Sequence, residues 1–207
     1  MYLTNHFSTA EQADILAFIE SNSFATICGM GSDGFPVATH VPVMIEMREN
    51  RLFLQAHIMR KQAHTIAFEQ NEKVLAIFNG PHAYISAQHY EPQNTASTWN
   101  YSAVHANGII RFLGDAELYS MLKNLTAKYE KDPASPSQMK HMSDDYIQSN
   151  MKAIVAFEIE VTQLQHVFKW SQNKPTHIQD KIVESLANGS IENQIAANEM
   201  KIRLNKQ

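Results

Sequence analysis

Segments in which apolar and polar positions alternate with a period of two recur along this chain, separated by segments of helical spacing. Ser8 and Glu11 have capping-box spacing, in which each side chain satisfies a free N–H at a helix start, and Ala13, Leu16 and Ile19 then recur at helical intervals up to Ser21-Asn22-Ser23. Strand patterning covers 24–30, turns at Gly31-Ser32-Asp33-Gly34, and resumes as a long strand over 35–47. A second hairpin turn, Arg48-Glu49-Asn50-Arg51, leads into a strand over 52–58. A short helix over 60–70 presents Ala63, Ile66 and Ala67 on one face. Strands over 74–78 and 83–86 follow, separated by Asn79-Gly80-Pro81. Beyond a polar loop at 91–96, strand character returns over 97–112. Asp115 then caps a helix running to about 131, with Leu118, Leu122, Leu125 and Tyr129 on one stripe. A two-proline linker over 132–138, a short helix from Ser143, strands over 154–161 and 165–169, and helices over 177–187 and 191–203 complete the pattern.

Hairpin-linked strands with helices inserted between them predict an α+β fold built on a β-barrel, rather than alternating βαβ units. Residues 1–170 read as one domain, with residues 171–207 as a helical C-terminal extension. Composition agrees: 44% hydrophobic and 18% charged residues in a chain of 207 suffice for a core. The net charge of −4 gives no global electrostatic reason to bind nucleic acid or anionic membranes. A single cysteine, Cys28, excludes an intrachain disulfide and a multi-thiolate metal site. The start of the chain has no basic and apolar leader pattern, and no apolar run reaches the roughly 18 to 20 residues that span a bilayer. A cytoplasmic protein with no membrane partner is therefore expected. The surplus is histidine, with ten.

Several motifs dissolve on inspection. Gly29-Met30-Gly31-Ser32-Asp33-Gly34 spells a dinucleotide fingerprint, but a proline-interrupted strand pattern follows it where a helix is needed, so it reads as a hairpin turn. His57 and His64, like His82 and His89, stand seven apart with no third ligand at a recognisable spacing, so no metal site is expected. No nucleophile elbow is present, and Cys28 sits in an apolar strand as a small core residue. The C-terminal helix pair has the outline of a helix-turn-helix, yet Glu192 and Glu199 balance Lys201 and Arg203 on its second helix, which gives DNA little to attract it.

Two segments carry more chemistry. Arg60-Lys61-Gln62 places adjacent cations at a helix start directly after a strand, where side-chain charge and free backbone N–H groups can hold a phosphate together. The stretch 79–107 gathers His82, Tyr84, Ser86, His89, Tyr90, Thr98, Trp99, Asn100, Tyr101 and His105. Flat aromatic rings among hydrogen-bonding groups suit a planar heterocycle.

The blocks Gly80-Pro81-His82-Ala83-Tyr84-Ile85-Ser86, Thr98-Trp99-Asn100-Tyr101 and Ala103-Val104-His105 resemble the PaiB-type FMN-binding transcriptional-regulator family. Met1-Tyr2, His6-Phe7, Ala38-Thr39-His40-Val41-Pro42, Lys128-Tyr129-Glu130 and Lys169-Trp170-Ser171-Gln172-Asn173 extend the resemblance in order along the chain. It implies a split β-barrel of the FMN-binding, pyridoxamine-phosphate-oxidase-like type with peripheral helices, forming a homodimer with FMN at the subunit interface. By the same implication Arg60 and Lys61 hold the flavin phosphate, with Gln62 beside them. Thr39, His40 and Val41 supply further flavin contacts, and Ser86, Trp99, Lys169, Ser171 and Gln172 lie near the flavin. This chain has Arg60-Lys61 where the family usually has Asn-Pro, a change that favours phosphate binding. His40, His57 and His105 are candidate proton-transfer groups because imidazole titrates near neutrality, and His57 joins the proposed cofactor set. The function implied is a negative transcriptional regulator or a flavin-dependent sensor or redox protein, a flavin-dependent oxidoreductase being the enzyme class left open. The alternative is a haem-binding or haem-degrading split barrel, for which the histidines form a pool of axial ligands without one that stands apart.

Overall fold

The computed structural model describes residues 6–8, 10–91 and 94–205. The Met1-Tyr2 motif and part of the polar loop at 91–96 lie outside the described residues. Two compact units interleave along the chain. One is built from the described parts of Met1–Asn22, Phe78–His105 and Gln165–Gln207, the other from Ser23–Ile77 and Ala106–Leu164.

The second unit has residues from all seven strands. β1 (Phe24–Met30), β2 (Pro36–Pro42), β3 (Met44–Arg48) and β4 (Arg51–Met59) lie wholly within it, and β5 (Lys73–Ile85), β6 (Thr98–Phe112) and β7 (Ile154–Lys169) in part. The sheet order is β2-β1-β5-β6-β7-β4-β3. β2 and β3 are therefore opposite edges, yet Val43 alone joins them. Seven strands laid flat would hold their edges about 29 Å apart, whereas a one-residue link spans about 7 Å. The sheet has to curl until the end of β2 and the start of β3 come together at Val43, which gives the split barrel. The 35–47 stretch expected as one strand is broken at Val43, which is 1% exposed and donates its N–H to Ser23 O at 2.8 Å. Its first part pairs with β1 (Ile27↔Thr39) and its second with β4 (Ile45↔Leu54), so one bent stretch closes the barrel.

Other expectations change for packing reasons. The Gly29–Gly34 run ends β1 with Gly29 and Met30 and then makes the β1–β2 turn from Gly31, with Gly34 at φ +82°. Gly29 serves close packing, because a Cβ there would lie 2.6 Å from Phe68 Cε1 of α2 (Ala63–Gln70). That helix starts three residues later than expected and buries Thr65, Ala67 and Phe68, while Ile66 is exposed. β5 is continuous where Asn79-Gly80-Pro81 had read as a break. Gly80 is needed for contact with Phe18, whose Cε2 would lie 2.6 Å from an added Cβ. β7 likewise runs unbroken through 162–164. α3 (Asp115–Tyr129) buries Leu118 and Met121 rather than a stripe reaching Tyr129, and packs with Met139, Ile147, Met151 and Ala156 beside α4 (Asp144–Met151). Exposed Tyr129 instead shares a hydrogen bond with Ser23 Oγ at 3.0 Å.

On the sheet, buried Glu158 of β7 is clamped by Arg48 of β3 at 2.6 Å and Arg111 of β6 at 2.5 Å. The Arg48 guanidinium also lies 3.5 Å above the Phe53 ring.

In the first unit, α1 (Gln12–Ser21) begins after Glu11, whose backbone is extended and whose carbonyl accepts from Asp14 and Ile15. Ser8 is therefore not the N-cap, and the buried face is Ile15, Phe18 and Ile19. Trp170 is fully buried and donates from Nε1 to Ser102 Oγ at 2.8 Å. α5 (Thr176–Ala187) and α6 (Ile191–Leu204) pack together, and Ser190 caps α6 by accepting the Asn193 N–H. No helix among the described residues is long and apolar enough to cross a membrane.

Candidate functional site

Barrel closure by one bent stretch leaves a gap. β3 pairs with β4 only from Arg48↔Arg51 to Met44↔Gln55, so the far end of β4 lacks that neighbour. There β2 faces β4 across a cleft of about 430 Å³, within the range of about 300–1,000 Å³ usual for small-molecule sites. Thr39, His40, Val41 and Pro42 line it from β2, and His57, Ile58 and Met59 from β4. Gln62 and His64, from the start of α2, and Ile154 complete the wall. The period of two sets how deeply these residues sit: Thr39 and Val41 share the more buried face of β2, while His40 borders the cleft from the exposed face and stacks on Phe24 at 6.3 Å between ring centroids.

His57 decides the cleft's chemistry. Its Nδ1 is buried and has no hydrogen-bond partner among the described residues. Burial pushes the imidazoles of His57 and His64 below their ordinary range, so both are neutral near pH 7. The lining contains no carboxylate. A buried donor or acceptor left unpaired costs about 1–3 kcal/mol, and a ligand polar atom at Nδ1 removes that cost. The residues fit a polar ligand, and nothing in the lining repels an anionic one.

The turn that precedes α2 divides its side chains. Lys61 has φ +60° and is exposed, and Gln62 reaches the cleft. Arg60 lines a neighbouring cleft of about 420 Å³ with Asp115, Gln148, Met151 and Lys152, and lies 3.4 Å from Asp115. The turn is pinned at both ends: the Arg60 N–H donates to Ala153 O at 2.8 Å, and Thr65 Oγ1 donates to Met59 O at 2.6 Å.

The remaining predicted residues belong to the other unit. Ser86 caps a 3₁₀ turn, Ala87–His89, by accepting the Gln88 N–H. Trp99 is 53% exposed and packs edge-on against Tyr84 and tilted against His82, making an aromatic surface. Lys169 donates to Thr98 Oγ1, and burial lowers its ammonium below the usual range. Ser171, buried at φ +57°, exchanges hydrogen bonds with the Asn100 amide at 3.0 and 3.1 Å. Gln172 accepts from the Trp170 N–H and donates to Phe168 O, each at 2.6 Å. Ser171 and Gln172 thus spend their polar atoms holding the segment around Trp170. His105 is half-buried, and burial lowers its imidazole too.

Sequence reasoning missed His64 as a cleft residue. Its spacing from His57 was weighed only for metal, and a strand end followed by a helix start is what brings the two to one cavity.

Residues 1–163 match the family described as "Putative FMN-binding domain". The chain belongs to this PaiB-type family. It is 34% identical over 188 residues to the Protease synthase and sporulation protein PAI 2 of Bacillus subtilis (strain 168), covering 91% of this chain and 90% of that one. In structure it is similar to the FAD and heme binding protein from Mycobacterium smegmatis, with TM-score 0.60 at 13% identity over 78% of this chain and 73% of that one. It is also similar to the flavocytochrome Anf3 from Azotobacter vinelandii, with TM-score 0.58 at 12% identity over 81% and 72%. At these identities the two structures speak to fold, and the fold they share with the family member is the expected α+β split barrel.

Proposed function

We propose that this FMN-binding family member holds the flavin nucleotide in the β2–β4 cleft and acts as a flavin-dependent sensor or regulator. The observation that carries the placement is the buried, unpartnered His57 Nδ1 in a cleft free of carboxylates. His57 would hydrogen-bond the ligand, with Thr39 and Gln62 as neutral polar partners. Arg60 and Lys61, on the turn beside the cleft, would attract and hold the phosphate. Val41, Ile58 and Ile154 would exclude water from one side of the ligand. FMN, when bound, supplies reversible electron transfer.

The exposed His82, Tyr84 and Trp99 surface suits contact with a second copy in a homodimer. In that assembly Ser86, Trp99 and Lys169 would approach the flavin. Similarity to a protein named for protease synthesis and sporulation supports a regulatory role, and a cytoplasmic location goes with that reading. The balance of Glu192 and Glu199 against Lys201 and Arg203 favours regulation through a partner over direct DNA contact.

The test is FMN titration of the purified protein, followed by flavin absorbance and melting temperature. Binding at 100 times Kd should add about 2.7 kcal/mol of stability. An unchanged flavin spectrum together with an unchanged Tm sinks the flavin reading. An electrophoretic shift with a steep salt slope would overturn the preference for a protein partner.

A further inference from the structure

The cleft gathers His40, His57 and His64 and no acidic side chain. An imidazole in a ligand site normally has a carboxylate or carbonyl to fix its proton, yet His57 Nδ1 is buried with no such partner among the described residues. Charged groups on the surrounding elements do not fill that role. On β7 the residue opposite His57 is Ala156, and Glu158, opposite Gln55, is committed to Arg48 and Arg111. On β3, Glu46 is bound by Gln55 and Arg48. From β2 and α2 the lining groups that titrate are His40 and His64 themselves. At the turn, Arg60 faces Asp115 and Lys152 in the neighbouring cleft, and Lys61 adds only positive charge.

Resting on the flavin-site proposal above, we propose that this cleft binds its phosphate-bearing ligand with uptake of a proton, His57 being the acceptor and His64 the secondary one. The empty-handed imidazole is neutral because burial opposes its charge. A phosphate brought near reverses that balance, since an anion within about 4–6 Å favours the imidazolium. The bound-state pKa of His57 then exceeds the free-state value, and linkage fixes the sign. Between the two values affinity rises as pH falls, by up to about tenfold per pH unit for one proton. The ligand's own phosphate, with a second pKa of about 6, pushes the other way, because it loses negative charge as pH falls. A rise in affinity on acidification that is lost when His57 cannot titrate therefore comes from the protein. The consequence is a site whose occupancy follows both flavin and proton concentration.

The experiment titrates the full chain with FMN from about pH 6 to pH 8 by flavin fluorescence, and by calorimetry in two buffers of different protonation enthalpy. Wild type should bind FMN at least about threefold more tightly per unit fall in pH, with net proton uptake. His57→Gln and His57→Asn, which hydrogen-bond without titrating, should flatten or reverse the slope. Riboflavin, which lacks the phosphate, should show little dependence. FMN binding without proton uptake overturns the inference and leaves the flavin site standing, as does a slope that survives in both His57 variants. Failure of FMN to bind at any pH overturns both.

Discussion

Gly108→Ala gives the sharpest test of how the barrel is packed. Gly108 lies on β6 beside β7, and an added Cβ would stand 2.4 Å from the backbone oxygen of Glu160 and 2.5 Å from Ile159 Cγ2. A carbon–oxygen contact tolerates about 3.3 Å, so the strands must separate locally by nearly an ångström. The obstacle is backbone, and β7 cannot recoil freely because Phe53 and Leu54 of β4 pair with Glu160 and Ile159 on its other side. Overpacking of this kind costs about 1–3 kcal/mol, and the upper end applies here. Alanine also restricts the unfolded chain, which returns about 0.4–1 kcal/mol. The expected net loss is about 2 kcal/mol. With a urea m-value of about 3 kcal/mol/M, the unfolding midpoint should fall by about 0.7 M at unchanged m. Gly29→Ala is the control. Its added Cβ meets the ring of Phe68, a side chain that can turn, so its loss should be smaller. A Gly108→Ala midpoint within about 0.2 M of wild type, or a larger loss for Gly29→Ala, would refute the packing argument.

Two further outcomes follow from the ionisable groups. Replacing Arg48 and Arg111 together by Met strands the buried Glu158 carboxylate and should cost about 3–5 kcal/mol in urea unfolding. Glu158→Gln should cost less, because Arg111 at 64% exposure and Arg48 at 36% stay hydrated; a larger loss for Glu158→Gln would show the order to be wrong. Burial and Arg203 both hold the His166 imidazole below its ordinary range, and neutral Nε2 accepts the Ala10 N–H at 3.1 Å. The unfolded chain therefore binds this proton first. Stability is full above the unfolded pKa of about 6.5 and falls as pH drops below it. Tm between about pH 5 and 7 should decline less steeply in His166→Gln than in wild type, and parallel curves would remove His166 from the account.

Much of the fold was legible because it is local. The β1 span is the one that alternation marks, the Glu49-Asn50 turn has both residues at positive φ as a tight hairpin requires, and Ser143 caps α4 as expected. Errors arose where tertiary contact overrode a local signal. Asn79-Gly80-Pro81 looks like a turn, but Gly80 is a contact residue for Phe18. The 35–47 run looks like one strand because a bend at a buried valine leaves no mark on periodicity. The candidate site divides the same way. Arg60-Lys61-Gln62 was visible as a chemical signal, whereas Thr39 and His57 meet only because the sheet curls. Motif resemblance could mark Ser171 and Gln172, but not show that Asn100, Trp170 and Phe168 already occupy their polar atoms.

The one-residue link at Val43 also bears on solubility. The edges of an open sheet are templates on which another chain can add a strand. Here β2 and β3 are successive lengths of the same bent stretch, so each edge turns toward the other instead of toward a neighbouring molecule. The stretch of β4 beyond Gln55 is left out of this arrangement, and it is the stretch that borders the cleft. A ligand seated there would cover the strand edge that β3 leaves without a ladder as well as fill the pocket, so one missing stretch of pairing would set both the room for a ligand and the exposure of that edge.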